Sequence, residues 1–278
     1  MTDPFKITGP AMISFSGGRT SADMVRRIVA AHGGQLPDDV VVCFANTGKE
    51  REESLRFVHE CGLNFGVRIR WLEWRDTKPC FEEVGYNSAS RNGEPFAALI
   101  AKKKRLPNWQ ERWCTSYLKL LPMFALAESF GWVAGQYSEV IGLRDDEGMR
   151  VLRGFERAEK DGRKVVYPLA NAKIRKADVL AFWKTQSFDL QLEPWEGNCD
   201  LCMATGKAVR LARIRRNPGC AKWWHEQEVA TNGVFDRRDS VAQLIEKARS
   251  QVDMFDQAAF DEADVECGDG CGFGEGEL

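Results

Sequence analysis

"ISFSGGRTSAD" (residues 13–23) is the stretch on which the fold turns. A short apolar run, Ala11, Met12 and Ile13, leads into Ser16-Gly17-Gly18-Arg19-Thr20-Ser21, and a helical pattern begins at Ala22, with Val25, Ile28 and Val29 on one face. A strand that turns into a helix this way leaves unpaired backbone N–H groups and the positive end of the helix dipole at the turn. Two glycines let an anion reach that backbone, Ser16 and Ser21 add hydroxyl donors, and Arg19 adds a fixed charge. The run lacks the Gly-Lys-Ser/Thr of a Walker loop and the spacing of a dinucleotide fingerprint. On these residues alone, a plain strand-to-helix turn capped by Thr20 or Ser21 is the alternative.

Further along, "DDVVVCFAN" (38–46) predicts a second buried strand, 52–62 a helix stopped by Gly62, and "VRIRWLEW" (67–74) a third strand. Strand, helix, strand, helix, strand implies right-handed crossovers, hence an α/β fold with a parallel sheet and flanking helices. Ligands bind such sheets at the carboxyl ends of the strands, where Ser16-Gly17-Gly18 and Asn46-Thr47-Gly48 both fall. Residues 75–116 read as polar and irregular, with Pro79, Pro95 and Pro107. A helix (118–130), a strand (137–143), a charged loop (144–163), a strand ending in Tyr167-Pro168-Leu169 and a helix (175–186) follow. This divides the chain into an α/β domain (1–186) and a cysteine-rich C-terminal region with a mobile tail (187–278), the latter bearing helices near 206–216 and 240–252.

The 278 residues are 44% hydrophobic and 29% charged, with net charge −2 and pI about 6.1, enough to build a sizeable core. The global charge asks for neither nucleic acid nor membrane. No run approaches the ~18 apolar residues of a membrane span, and the start lacks a signal-peptide pattern, so a cytoplasmic protein is expected. Nine cysteines, an odd number in such a chain, argue against a disulfide framework and for metal or redox roles. Cys199-Asp-Leu-Cys202 has the spacing for either, but two thiolates do not complete a metal site. Cys43 and Cys61 read as small buried hydrophobes and Cys80 as a loop residue. His32, His59 and His225 read as structural, and Trp183, Trp195, Trp223 and Trp224 as packing.

S-G-G-x-x-S directly after a first strand resembles the PP-loop of the adenine-nucleotide alpha-hydrolase superfamily. "FANTGKEREESL" (44–55) resembles the D-T-G-x-x-x-x-E-T segment of phosphoadenosine phosphosulfate (PAPS) reductases, with Asn46 in place of Asp. "CTSYLKLLPM" (114–123) is similar to that family's C-x-x-x-x-K-x-x-P segment, "GLRDDEGMR" (142–150) to its G-x-R-x-x-E-x-x-R loop, and "YPLAN" to the Pro-Leu that follows. The resemblance runs over roughly residues 10–230. It implies that an adenine nucleotide (PAPS, APS or ATP) is held by Ser16, Gly17, Gly18, Arg19, Thr20, Ser21, Asn46, Thr47, Gly48, Gly142, Arg144 and Arg150, with Lys119 in the catalytic set. Arginine suits such anions because its planar fork donates two hydrogen bonds at once. Glu147, with Asp145 and Asp146, either holds an arginine or takes part in binding magnesium.

The same resemblance implies a [4Fe–4S] cluster on Cys114 and the C-x-x-C pair Cys199 and Cys202. Here Trp113 stands where a second adjacent cysteine is usual. The fourth ligand is then Cys220, Cys267, Cys271 or no protein residue, with Cys220 the preferred choice, and four-thiolate zinc is the alternative. Glu266-Cys267-Gly268 resembles the E-C-G whose cysteine attacks the sulfur of a bound sulfonucleotide, and Cys271 is placed to resolve the product as a disulfide. Lys102-Lys103-Lys104-Arg105 is either a solvated face or a guide for a polyanion such as tRNA or DNA.

The leading expectation is therefore sulfonucleotide (PAPS/APS) reduction to sulfite through Cys267, with a thiol donor such as thioredoxin. The alternative is an ATP pyrophosphatase that adenylylates a nucleic acid or small molecule and receives sulfur from a sulfur donor. A third reading is a nucleotide-binding regulator with structural zinc. None of the three involves a membrane.

Overall fold

The strand Val40–Asn46, VVVCFAN, is buried along nearly its whole length, as a strand in the middle of a parallel sheet covered on both faces must be. In the computed structural model, residues 3–193 and 195–250 are described. The six strands are β1 (Ala11–Ser14), β2 (Val40–Asn46), β3 (Ile69–Trp74), β4 (Phe81–Val84), β5 (Ser138–Ile141) and β6 (Lys164–Val166), in sheet order β4-β3-β2-β1-β5-β6. All neighbours are parallel except β3 and β4. The α/β class expected from the opening stretch is the architecture observed.

Helices α1 (Arg19–Ala31) and α2 (Glu52–Phe65) follow β1 and β2. Next come α3 (Glu94–Lys103), α4 (Trp113–Thr115), a π-helical turn (Ser116–Leu120), α5 (Leu121–Ser129), α6 (Gly148–Lys160), α7 (Pro168–Asn171) and α8 (Lys176–Trp183). The C-terminal part holds α9 (Lys207–Arg216), α10 (Lys222–Thr231) and α11 (Val241–Ser250). Among the described residues no helix is long and apolar enough to cross a membrane.

Alternation along the strands sorts the core by face. Ala11, Ile13, Val42, Phe44 and Trp71 pack with α1, α2 and Trp183 on one side, while Met12, Cys43, Ala45 and Leu72 meet Met123, Leu126 and Ala127 of α5 on the other. Burying side chains of this size contributes about 1.5–3 kcal/mol each. Phe188, Leu190 and Leu192 join the first cluster. A second core gathers Phe96, Leu99 and Ile100 of α3 with Trp113, Leu211, Ile214, Trp224 and Leu244.

Four local expectations are corrected. Helix α2 runs through Gly62 and ends at Gly66, which takes the left-handed conformation (φ 63°) of a helix C-cap. Residues 75–116 are not uniformly irregular: they contain β4, an edge strand whose Glu82 and Glu83 pair with Arg75, Arg68 and Arg70, and also α3. The basic run begins in the last turn of α3 with Lys102 and Lys103 and leaves the helix at its C-cap, Lys104. Residues 148–160 of the charged segment form α6, in which Gly154 faces Tyr167 so closely that a Cβ would strike its hydroxyl.

Candidate functional site

The register Ser14↔Cys43 and Ser14↔Ile141 brings the chain beyond β1 alongside the chain beyond β5. The sheet order reverses between these two strands, the place where open α/β sheets accept ligands. Gly17 turns the chain at φ 82°, and a Cβ there would stand 3.1 Å from Phe44 and 3.2 Å from Val58. Extended Gly18 is the N-cap of α1 and supplies no side-chain cap. Neither Thr20 nor Ser21 caps the helix. Ser16 donates to Ser21 through its backbone N–H (3.2 Å) and approaches it through its hydroxyl (2.9 Å), while the Ser21 hydroxyl donates to the Gly18 carbonyl (3.0 Å). Thr20 instead accepts from Arg144 Nη1 at 2.9 Å.

Gly142, just past β5, closes on α1. A Cβ there would stand 3.2 Å from Ser21 Cα, so a larger residue would crowd the first turn of the helix. Lys119 is presented by the π-helical turn. Pro122, just beyond it, cannot donate to the Leu118 carbonyl and crowds it, which favours the wider turn. Together Ser16, Ser21, Lys119, Gly142 and Arg150 line one pocket over an apolar floor that includes Phe15 and Met123.

Other candidates serve the frame around this pocket. Arg19 donates to both oxygens of Asp189 (2.7 and 2.5 Å). Burial pushes the Asp189 carboxyl up, and the bonds from Arg19 overcome this and hold it below its ordinary range. Arg144 has a side chain 1% exposed and turns inward to Thr20 and Asp146. Glu147 accepts the Arg144 backbone N–H (3.0 Å) and pairs with Arg150, and Asp145 pairs with Lys173 (3.1 Å) and Arg175 (3.3 Å). The three acidic residues of that loop thus hold cations of the chain. Asn46 is fully buried and donates to Glu73 (2.7 Å) and the Ser90 carbonyl (2.9 Å), while it accepts the Gly48 N–H. Thr47 and Gly48 (φ 77°) complete that turn, which does not line the pocket but aims Glu50.

Glu50 joins two parts of the site that lie far apart in sequence. Its buried carboxylate pairs with Lys119 Nζ at 3.2 Å and accepts from Cys199 Sγ at 3.3 Å. Residues 50 and 199 form an antiparallel bridge, and Asn198 Nδ2 donates to the Ser16 carbonyl at 2.7 Å. The segment bearing the C-x-x-C pair is therefore fastened to the glycine loop. Sequence reasoning did not single out Glu50, Asp189 or Asn198. Glu50 lay in the quoted 44–55 segment and Asn198 beside Cys199, but only the tertiary contacts show their partners.

Cys114, Cys202 and Cys220 pack on the second core, and Cys199 sits at its edge on Glu50. Burial, with Asp200 adding to it, pushes the Cys220 thiol up to about 11. Arg213, 3% exposed, donates to the Cys199 carbonyl at 3.1 Å. Its Nε and Nη2 have no hydrogen-bond partner among the described residues, and burial, then repulsion from Arg51, lowers its pKa. Cys199, Cys202 and Cys220, within electrostatic reach of this buried cation, and Cys114 on the same core are chemically suited to a thiolate-bound metal. The geometry is not closed, because among the described residues no three Cys, His, Asp or Glu side chains converge as a metal site. Cys267 and Cys271 lie outside the described residues.

No family model matches this chain. It is 26% identical over 251 residues to the uncharacterized nin region protein ORF290 of Escherichia phage lambda, covering 87% of this chain and 82% of that protein. It is 28% identical over 155 residues to an uncharacterized protein of Methanocaldococcus jannaschii, covering 56% of this chain and 26% of that one. A solved structure of a phosphoadenylyl-sulfate (PAPS) reductase from Candida auris, a phosphate complex, is similar over 66% of this chain and 79% of its own, at 14% identity and TM-score 0.42.

Proposed function

We propose that this chain is an enzyme that binds an adenine nucleotide through its phosphate or phosphosulfate group and carries out sulfur chemistry on it. The observation that carries this reading is the meeting of Ser16, Ser21, Lys119, Gly142 and Arg150, from separate segments, in one pocket at the carboxyl ends of β1 and β5. Two hydroxyls and two cations, with Gly142 letting the first turn of α1 approach β5, suit a tetrahedral anion. On the leading reading the ligand is a sulfonucleotide. The Cys267 thiolate attacks its sulfur, a sulfur–sulfur bond forms as the sulfur–oxygen bond breaks, and the nucleotide phosphate leaves. A dithiol donor of the thioredoxin class then attacks the cysteine sulfur, releasing sulfite and becoming oxidised. Lys119 and Arg150 neutralise the charge gathering on the leaving phosphate.

One observation favours a second reading. The Glu50 carboxylate links Cys199 to Lys119, so a thiol within the described structure already adjoins the pocket. In that reading the ligand is ATP, and pyrophosphate leaves on adenylylation of an acceptor; a cysteine persulfide charged by an external sulfur donor attacks the adenylylated carbon with its outer sulfur as AMP leaves, and a reduced thiol then cleaves the sulfur–sulfur bond, freeing the thiolated acceptor and becoming oxidised.

Protein purified without oxygen, incubated separately with ATP–magnesium and with PAPS plus a reduced thiol donor, distinguishes the two. Sulfite with adenosine 3′,5′-bisphosphate supports reduction. AMP with pyrophosphate supports the second reading, and neither product from either mixture overturns both. The assignment of a [4Fe–4S] cluster, or of zinc, to Cys114, Cys199, Cys202 and Cys220 is tested on the same protein by iron, sulfide and zinc content. Stoichiometric metal lost on Cys202→Ser supports it, and metal-free protein removes it.

A further inference from the structure

The basic run Lys102-Lys103-Lys104-Arg105 spans the end of α3 and its C-cap, and the chain then passes into a turn that carries Trp109. Asn108 fixes that turn. Its side-chain oxygen accepts the N–H groups of Gln110 (2.9 Å) and Glu111 (3.0 Å), and its own N–H donates to the Glu111 carbonyl (3.1 Å). Trp109 is held outward at the tip, 64% exposed. The indole lines a cavity of about 430 Å³, within the range of small-ligand sites, with Phe235, Asp236, Arg237 and Arg238 on the opposing wall. None of its lining residues is shared with the pocket at β1 and β5.

The charge of this wall is positive where it is available to a ligand. The Asp236 carboxylate is spent within the protein, shared between Arg210 (2.6 Å) and Arg238 (2.9 Å). Arg237 and Lys104 are exposed, and their side chains make no hydrogen bond or ion pair among the described residues. A rigid exposed aromatic face beside uncommitted cations is the arrangement that binds a base by stacking and its phosphates by charge. Only an unpaired base offers its flat face to an exposed indole, so a single strand fits where a duplex does not. Lys104 precedes the turn that carries Trp109 and Arg237 lines the cavity beyond it, so two separate cations flank the indole, which serves a chain of phosphates better than one nucleotide.

We propose that the Trp109 cavity and the basic end of α3 form a binding site for single-stranded nucleic acid, with a base stacked on Trp109 and the flanking phosphates on Arg237 and Lys104. The proposal is independent of the reaction assigned to the other pocket. It is tested on the full chain by fluorescence anisotropy with a labelled twelve-residue oligothymidylate. The expected result is salt-dependent binding that weakens about ten-fold in Trp109→Ala and again in Arg237→Ala, and is unchanged in Ser16→Ala. Both substituted side chains are exposed, so thermal melts should match the parent, and if one variant fails to fold the other still decides. Absent binding, unchanged affinity in both variants, or equal affinity for thymidine monophosphate or for a duplex of the same length would overturn the proposal.

Discussion

The carboxylate of Glu50 holds Lys119 by an ion pair of 3.2 Å, with the glutamate side chain fully buried and the lysine 17% exposed. The pair sets the lysine at the edge of the pocket between β1 and β5 and gives the charge on Glu50 a partner. The two residues should therefore fail in different ways when replaced. Lys119→Ala should weaken nucleotide binding about ten-fold or more, measured by calorimetry. Glu50→Gln should lose about 2 kcal/mol in urea unfolding, because it strips a buried pair of one charge, while keeping nucleotide affinity within a few-fold.

Gly17 and Gly142 are required for different reasons. Gly17→Ala places a Cβ at positive φ between Phe44 and Val58 and should cost about 1–3 kcal/mol of stability in denaturant titration. Gly142→Val presses on Ser21 at the pocket wall and should reduce nucleotide affinity more than it reduces stability.

Acid should loosen the attachment of residues 187–216 to the α/β sheet. Burial raises the Asp189 and Glu196 carboxyls, but their bonds to Arg19 and Arg51 outweigh it, so both are held below their ordinary values. A depressed folded value means the contribution is present above the unfolded pKa, about 4, and is lost as pH falls through the folded one. Stability measured by urea midpoint should thus decline below about pH 4.5, and Asp189→Asn should flatten part of that decline.

Cys43 and Cys61 are fully buried, and burial pushes both thiols far up. Neither should react with iodoacetamide at pH 8 in the folded chain, and both should react once it is unfolded. Mass spectrometry of the labelled peptides checks this.

How far the sequence could be read depended on whether the signal was local. The apolar run, two glycines and periodic helix at 11–31 specify one strand-turn-helix unit, and the sheet class follows from it. Gly62 misled because a glycine inside a helix and one that ends it look alike in sequence; only Gly66 takes positive φ. Helix α6 was hidden by charge, since its buried positions, Gly154 and Ala158, are small. Within the site, Ser16, Ser21, Gly142, Lys119 and Arg150 were recognisable from their motifs, whereas Arg144 and Arg19 looked like ligand cations and instead bind Thr20, Asp146 and Asp189. Glu50 and Asn198 were not legible as site residues, because what matters in each is a contact across roughly 70 to 180 residues of chain.

The central claim, that the pocket between β1 and β5 is the nucleotide site, is tested most directly by calorimetric titration of adenosine 3′,5′-bisphosphate and of ATP into the parent protein and the Lys119→Ala/Arg150→Ala double variant. The account predicts one site in the parent for at least one of the two nucleotides, weakened a hundred-fold or more in the variant, which circular dichroism should show to be still folded although Glu50 and Glu147 have lost these partners and its melting temperature is lower. Parent and variant binding with equal affinity, or a parent that binds neither, would contradict it.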